Sequence, residues 1–246
     1  MAAGGPGKKS RRASERDPSK RAAWREQTRG IDPRRFVWID ETGSHLGLTR
    51  TYSRAPRGQR ASGDVPQRRG KNRTLITALT LDGFGPSLLL DDAMDRATFD
   101  GYIIHLLAPT LTPGQIVVVD NLKVHYSARA QAAIEARGAQ LWYLPPYSPD
   151  LNPIEEAFSK VKASLRTAAP RTLEAHSSAI WAALGTITPQ DAVGWFAHAG
   201  YLPATRRSSH PPSRRRPTTV AATPPTDPPR TITLRIPPGV AFDHLC

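Results

Sequence analysis

Three acidic residues have the types and spacing to do chemistry. Asp40 and Asp120 each end an apolar, β-branched run, at residues 36–39 and 116–119, and Glu155 follows Asp120 after 34 intervening residues. A carboxylate at the end of a buried strand costs free energy unless a charged partner lies beside it. Carboxylate oxygens are the ligands that hard divalent cations prefer. The three acids therefore indicate a site for such ions.

A pair of divalent ions would suit the cleavage of a phosphodiester bond. Two Mg²⁺ or Mn²⁺ ions about 3.5–4 Å apart activate a water or hydroxyl and neutralise charge on the leaving oxygen. We expect Asp40 and Asp120 to be the rigid ligands, one of them bridging both ions, and Glu155 to complete one coordination shell. No histidine stands out as a base, which fits a mechanism in which metal lowers the pKa of water.

Each acid also has a structural interpretation. Glu155 would be a capping-box glutamate at N3 if Asn152 is the N-cap of its helix. Asp40 would be a turn residue at a strand end, and Asp120 would form an Asx turn with Asn121. The combination of two strand-end acids with a third at a helix start favours the functional interpretation.

Hydrophobic periodicity and turn residues predict an α/β fold. Strands are predicted at residues 36–40, 47–53, 74–81, 87–90, 116–119 and 141–144, and helices at 19–28, 95–107, 127–137, 153–165, 172–184 and 189–199. Ser19 is the expected cap of the first helix. Early hairpins followed by strands joined through helices indicate a mixed sheet flanked by helices. If the strands that lead to Asp40 and Asp120 are parallel neighbours, the two carboxylates meet at their carboxyl ends.

Basic side chains cluster between the second and third predicted strands. Asp64 is the only acid between residues 50 and 73, and the basic residues there are Arg50, Arg54, Arg57, Arg60, Arg68, Arg69, Lys71 and Arg73. We expect a surface that contacts the DNA backbone beside the acids, the alternative being a solvated hairpin. Lys123 is expected to reach DNA as well. His125 could do the same, but the sequence slightly favours an exposed residue at a helix start.

Composition limits the setting of the chain. The single cysteine, Cys246, excludes an internal disulfide framework and a thiolate metal cluster. No stretch approaches the ~18 apolar residues of a membrane span. The basic N-terminus is not followed by the apolar run of a secretory signal. We therefore expect a cytoplasmic, reduced setting and no membrane partner.

Charge divides the chain into three parts. The net charge is +13, yet residues 31–202 hold 18 of the 34 basic and 16 of the 21 acidic residues, so both ends are basic. Basic tails bind polyanions through counterion release, or they only aid solubility. We expect a basic linker with a short helix at 1–30 and a folded domain at 31–201. Ten of the 24 prolines fall in 203–246, so we expect a disordered Pro/Arg-rich tail at 202–246.

Three segments resemble the signatures of DDE transposases, most closely the mariner-related group of bacterial insertion sequences. They are FVWIDET from Phe36, VVDN from Val118 and LPPYSPDLNPIE from Leu144. The resemblance covers roughly residues 31–201. It implies a ribonuclease-H-like fold and catalytic roles for Asp40, Asp120 and Glu155, with Glu155 rather than Asp150 or Glu156 as the third acid. It also implies Mg²⁺, or Mn²⁺, as cofactor.

The resemblance further implies a reaction and its partners. Activated water would cut DNA at the ends of a transposable element, and the freed 3′-OH would attack target DNA. The protein would act as a homodimer on DNA, associated with the bacterial nucleoid. Family members carry N-terminal helix-turn-helix domains, so we expect that part to be encoded separately or this copy to be truncated. The competing hypotheses are a non-catalytic DNA-binding remnant and a cellular ribonuclease H or resolvase.

Overall fold

The computed structural model describes residues 14–50, 52, 54–60, 62, 66 and 70–202. The disordered tail predicted at 202–246 lies outside these ranges except for its first residue, and Arg68 and Arg69 lie outside them as well. Within them, no helix combines the length and the apolar character needed to cross a membrane.

Five strands form one mixed sheet in the order β3-β2-β1-β4-β5. They are β1 (Phe36–Ser44), β2 (Arg73–Thr80), β3 (Gly83–Leu90), β4 (Ile116–Val119) and β5 (Gln140–Tyr143). β1, β2 and β3 are antiparallel neighbours, whereas β4 is parallel to both β1 and β5. The predicted α/β sheet is confirmed, and the strands that lead to Asp40 and Asp120 are indeed parallel neighbours.

Six α-helices accompany the sheet in the described part of the chain. They are α1 (Pro18–Thr28), α2 (Arg96–Gly101), α3 (Ala128–Glu135), α4 (Ile154–Ala168), α5 (Leu173–Leu184) and α6 (Pro189–His198). α2 continues into a π-helical segment, Tyr102–Leu107. Asp17 rather than Ser19 caps α1, because its carboxylate accepts hydrogen bonds from the backbone N–H groups of Ser19 and Lys20. The predicted Ser19 cap was wrong.

The pleat of the central strands divides the core in two. Phe36 and Trp38 of β1 pack with residues of α1, α4, α5 and α6 on one face of the sheet. Val37 and Ile39 pack with α2, the π-helical segment and α3 on the other face. Because side chains alternate along a strand, Asp40 continues the row of Phe36 and Trp38 and points to the side of α4.

Two strand predictions differ from the structure. The strand expected at 47–53 is absent from the described residues of that range, which are in turn or irregular structure. β1 instead extends to Ser44 by pairing with β2, with Ser44 opposite Arg73. Asp40 therefore lies inside a strand rather than at its end, and the interpretation of Asp40 as a turn residue was wrong.

Helix α1 packs beneath the loop that leads to Glu155. Trp24 of α1 is buried, and its ring meets the edges of Trp38 and Trp142. Its Nε1 donates to the hydroxyl of Tyr201 at 2.9 Å, and that hydroxyl donates to the carbonyl of Leu151 at 2.7 Å. This chain of contacts joins both ends of the described domain to the loop before α4.

Trp38 offers a test of this core. It is fully buried, and its Nε1 has no hydrogen-bond partner among the described residues. We expect Trp38→Ala to lower the free energy of unfolding by about 3–5 kcal/mol, because it leaves a large cavity. Trp38→Phe keeps an aromatic ring and removes an unpaired N–H, so its loss should stay below about 2 kcal/mol. Chemical denaturation measures both, and equal losses would contradict this packing.

Candidate active site

Asp40 is a buried carboxylate with a donor on each oxygen. Asp40 as a whole is only 8% exposed. Oδ1 accepts the backbone N–H of Glu41 at 2.8 Å, and Oδ2 accepts the side-chain Nδ2 of Asn152 at 2.8 Å. Asn152 belongs to the loop that opens α4, so this hydrogen bond ties the central strand to the third acidic segment. Sequence reasoning gave Asn152 only a capping role.

Asp120 follows β4 at the same level of the sheet as Asp40. Trp38 of β1 lies opposite Val118 of β4, and the parallel register places the next residues on that face, Asp40 and Asp120, side by side. Asp120 Oδ1 accepts the backbone N–H of Leu122 at 3.0 Å. The Asx turn predicted as an alternative is therefore present. It does not prevent the carboxylate of Asp120 from lining the cavity that also contains Asp40.

Glu155 stands in the first turn of α4, and the capping-box interpretation does not hold. The described helix has no side-chain cap, and the side chain of Asn152 is directed to Asp40 instead. The backbone N–H of Glu155 donates to the carbonyl of Asn152 at 3.2 Å. The side chain of Glu155 is exposed, which leaves its carboxylate available to a ligand.

One cavity brings the three predicted acids together. Asp40, Asp120 and Glu155 all line a cavity of about 500 Å³, whose wall also includes Asn152 and the segment 144–149. Among the described residues, no three Asp, Glu, His or Cys side chains already stand close enough together to hold a metal ion. The three carboxylates therefore surround a shared space without contacting one another closely.

The charges in this cavity repel one another. Burial raises the pKa of Asp40 well above its usual value, and the charges of Glu155 and Asp120 raise it further. Although Glu155 is partly exposed, burial of the rest of its side chain raises its pKa. The charge of Lys162 opposes this rise, and the charge of Asp120 adds to it. Carboxylates that repel across a cavity match the charge and donor type required by a hard divalent cation.

The two other acids near Glu155 are engaged away from the cavity. Asp150 Oδ2 accepts from Arg21 at 2.6 Å and from Arg16 at 3.1 Å. Glu156 pairs with His198 of α6. Neither lines the cavity, so Glu155 is the acid of this segment that faces the space shared with Asp40 and Asp120.

Sequence reasoning named His125 but missed its place beside the acids. It is 1% exposed, so the prediction of an exposed helix-start residue was wrong. Its Nε2 lies 2.9 Å from Glu41 Oε1, and its Nδ1 lies 2.6 Å from Asp120 Oδ1. Burial lowers the pKa of His125, but the two carboxylates outweigh burial and raise it to about 10. His125 therefore lies directly behind Asp120, between two carboxylates.

The residues predicted to contact DNA differ in their exposure. The residues of this set that are exposed are Arg50, Arg54, Arg57, Arg60, Lys71 and Lys123. The loop between β1 and β2 begins after Ser44, four residues beyond Asp40 on the same strand. Arg73 is buried, contacts Asp91 at 2.6 Å and donates to the carbonyl of Leu173 at 2.9 Å. Its assignment to the DNA surface was wrong, because the guanidinium is committed to the interior.

Asp40→Asn tests the repulsion in the cavity. Without metal, the variant should be more stable at neutral pH by about 0.5–2 kcal/mol, a usual gain for one favourable change. Oδ1 of Asn152 has no hydrogen-bond partner within the described part of the chain, so this amide can turn to accept from the new Nδ2. Because the pKa of Asp40 is raised in the folded state, the folded chain binds more protons than the unfolded chain. The stability gained by Asp40→Asn should therefore grow as pH rises above the usual pKa of a carboxyl group.

Thermal unfolding in chelator, compared between about pH 4 and pH 7, measures this effect. A variant that is no more stable than the unaltered chain at pH 7 would show that the carboxylates do not repel strongly.

Comparison with known proteins identifies the family. The family model of the DDE superfamily endonuclease matches residues 35–175, which is more than half of the chain. A search of curated protein sequences found no match.

Solved structures of Mos1 transposase share the fold. The paired-end complex of the Mos1 mariner transposase with Mn is 19% identical with a TM-score of 0.61, and the alignment covers 80% of this chain and 65% of that one. The Mos1 strand transfer complex is also 19% identical, with a TM-score of 0.59 and coverage of 79% and 63%. The Mos1 catalytic domain with raltegravir and Mg is 14% identical, with a TM-score of 0.52 and coverage of 74% and 88%.

This chain thus spans about two thirds of the length of the transposases in the DNA complexes. Sequence match and shared fold together place it in the DDE superfamily of endonucleases, with a ribonuclease-H-like catalytic domain.

Proposed function

We propose that this chain cuts DNA at the ends of a transposable element and joins those ends to target DNA. The observation that carries the proposal is the convergence of Asp40, Asp120 and Glu155 on one cavity. The similar Mos1 structures include a paired-end complex with the left transposon end and a strand transfer complex. We extend that substrate class to this chain.

Asp40, Asp120 and Glu155 would hold Mg²⁺ or Mn²⁺, and we propose two ions. When bound, such ions lower the pKa of the attacking water or hydroxyl and neutralise charge on the leaving oxygen. The chain's own contribution is to hold the ligands: Glu41 N–H and Asn152 fix Asp40, and the first turn of α4 presents Glu155. The Mos1 structures that contain Mn and Mg favour this choice of metals.

The basic loop between β1 and β2 would bind the DNA backbone. Its exposed arginines follow Ser44, the last residue of the strand that carries Asp40, and their contacts with phosphates would position the scissile bond. We include Arg68 and Arg69 in this surface on the basis of sequence alone. Lys123 lies three residues after Asp120 in the chain and would contact DNA as well.

The remaining assignments follow from the same proposal. Residues 31–201 would form the catalytic unit, with 1–30 and 202–246 as basic extensions. A helix-turn-helix part would recognise the terminal repeats, and the protein would act as a homodimer on DNA. The setting would be the bacterial cytoplasm, in association with the nucleoid.

Nicking of plasmid DNA tests the catalytic role. We expect nicking that requires Mg²⁺ or Mn²⁺ and that falls by more than about 10²-fold in Asp40→Ala, Asp120→Ala and Glu155→Ala, because loss of a residue behind a ligand already costs 10–100-fold. Glu156→Ala is the matched control, since Glu156 is the next residue of α4 and does not line the cavity. It should retain activity.

Equal background nicking in all variants would instead support a non-catalytic DNA-binding remnant. Cleavage of the RNA strand of an RNA–DNA hybrid, without nicking of duplex DNA, would support a ribonuclease H.

A double substitution tests the DNA surface. Arg57→Gln with Arg60→Gln should weaken binding to all DNA sequences and reduce the dependence of log affinity on log salt by about 0.9 for each phosphate that is no longer neutralised. Arg129→Gln with Arg137→Gln removes the same charge from exposed positions on and just after α3. Fluorescence anisotropy over a series of salt concentrations measures both slopes. If the first pair leaves the slope unchanged, the surface lies elsewhere.

A further inference from the structure

The carboxylate of Asp120 is held on one side only. In the described structure its contacts fall on Oδ1, which accepts Leu122 N–H at 3.0 Å and lies 2.6 Å from His125 Nδ1. Nδ1 lacks the alignment of a hydrogen bond, so this second contact is a close polar contact between the edge of the ring and the carboxylate. With Oδ1 engaged in this way, Oδ2 is the oxygen left for a ligand in the cavity.

His125 is itself fixed from several directions. Its ring packs on Phe99 with the ring centroids 4.6 Å apart, and Phe99 is fully buried. Nε2 contacts Glu41, whose side chain points to the opposite face of β1 from Asp40. The carbonyl of His125 accepts the hydroxyl of Tyr143 at 3.3 Å. Rotation of the imidazole would break the contact with Glu41 and disturb the ring stacking.

We propose that His125 is a positioning residue that orients the carboxylate of Asp120 so that one oxygen faces the cavity, with Glu41 holding the imidazole in place. The role rests on the proposed function, because it assumes that Asp120 is a metal ligand. His125 does not touch DNA in this role, since it is 1% exposed and both ring nitrogens face carboxylates. A partner behind a ligating group commonly fixes its orientation and raises metal affinity.

Two substitutions separate positioning from packing. His125→Asn places an amide nitrogen near the position of Nδ1 and keeps a contact with Asp120, but it loses the ring. His125→Phe keeps a ring against Phe99 and loses both nitrogens. A positioning role predicts that the Phe variant loses metal affinity and the Asn variant keeps most of it. A role in packing alone predicts the reverse order.

The measurement is Mn²⁺ binding to the full chain. The electron paramagnetic resonance signal of free Mn²⁺ reports how much of the metal is unbound. We expect binding about 10–100-fold weaker for His125→Phe, the range known for loss of a residue behind a ligand. His125→Asn should stay closer to the unaltered chain. DNA affinity in chelator should not change in either variant, because the basic loop is untouched.

A third variant keeps the test valid if the Phe variant does not fold. The amide of His125→Gln reaches toward Glu41 rather than Asp120, so its Mn²⁺ affinity should be lower than that of His125→Asn. Equal affinities in all variants, or the reverse order, would overturn the role of His125 and leave the proposed function intact. Absence of Mn²⁺ binding by the unaltered chain would overturn both.

Discussion

The parallel pairing of β1 with β4 is the constraint on which the site depends. It sets Asp40 and Asp120 at one level of the sheet and on one face, where their charges repel each other and that of Glu155. A fold selected for stability alone would not keep the buried carboxylate of Asp40 beside two other acids. A cation in the cavity, as proposed, would make the arrangement favourable, and without it the apolar core must hold the strands together.

Different parts of the domain hold each acid. Asn152 reaches from the start of α4 to Asp40, and His125 lies behind Asp120. Arg16 and Arg21, at the N-terminal end of the described domain, hold Asp150 in the loop before Glu155, and Tyr201 supports the same loop from the other end. The site is therefore supported by α1 as well as by the sheet, which shows why residues distant in sequence matter to it.

The sequence predicted what depends on local pattern. Apolar runs and turn residues predicted all five strands of the sheet and all six helices, with differences in where some of them begin and end, and the order of elements predicted the mixed sheet. What it missed depends on contacts across the sheet. Arg73 looked like one more surface arginine because its partner Asp91 lies on the far side of a hairpin, after β3. His125 looked exposed because its burial comes from Glu41 and Phe99, which no local pattern connects to it.

The central claim is that three carboxylates form one cation site, and anomalous diffraction from a crystal grown with Mn²⁺ would test it most directly. The account predicts strong Mn²⁺ peaks in the cavity, with oxygens of Asp40, Asp120 and Glu155 among their ligands at about 2.0–2.4 Å, a distance typical of divalent cations bound by carboxylates. A cavity without a peak at saturating Mn²⁺, or a peak bound only by acids outside it, would contradict the account.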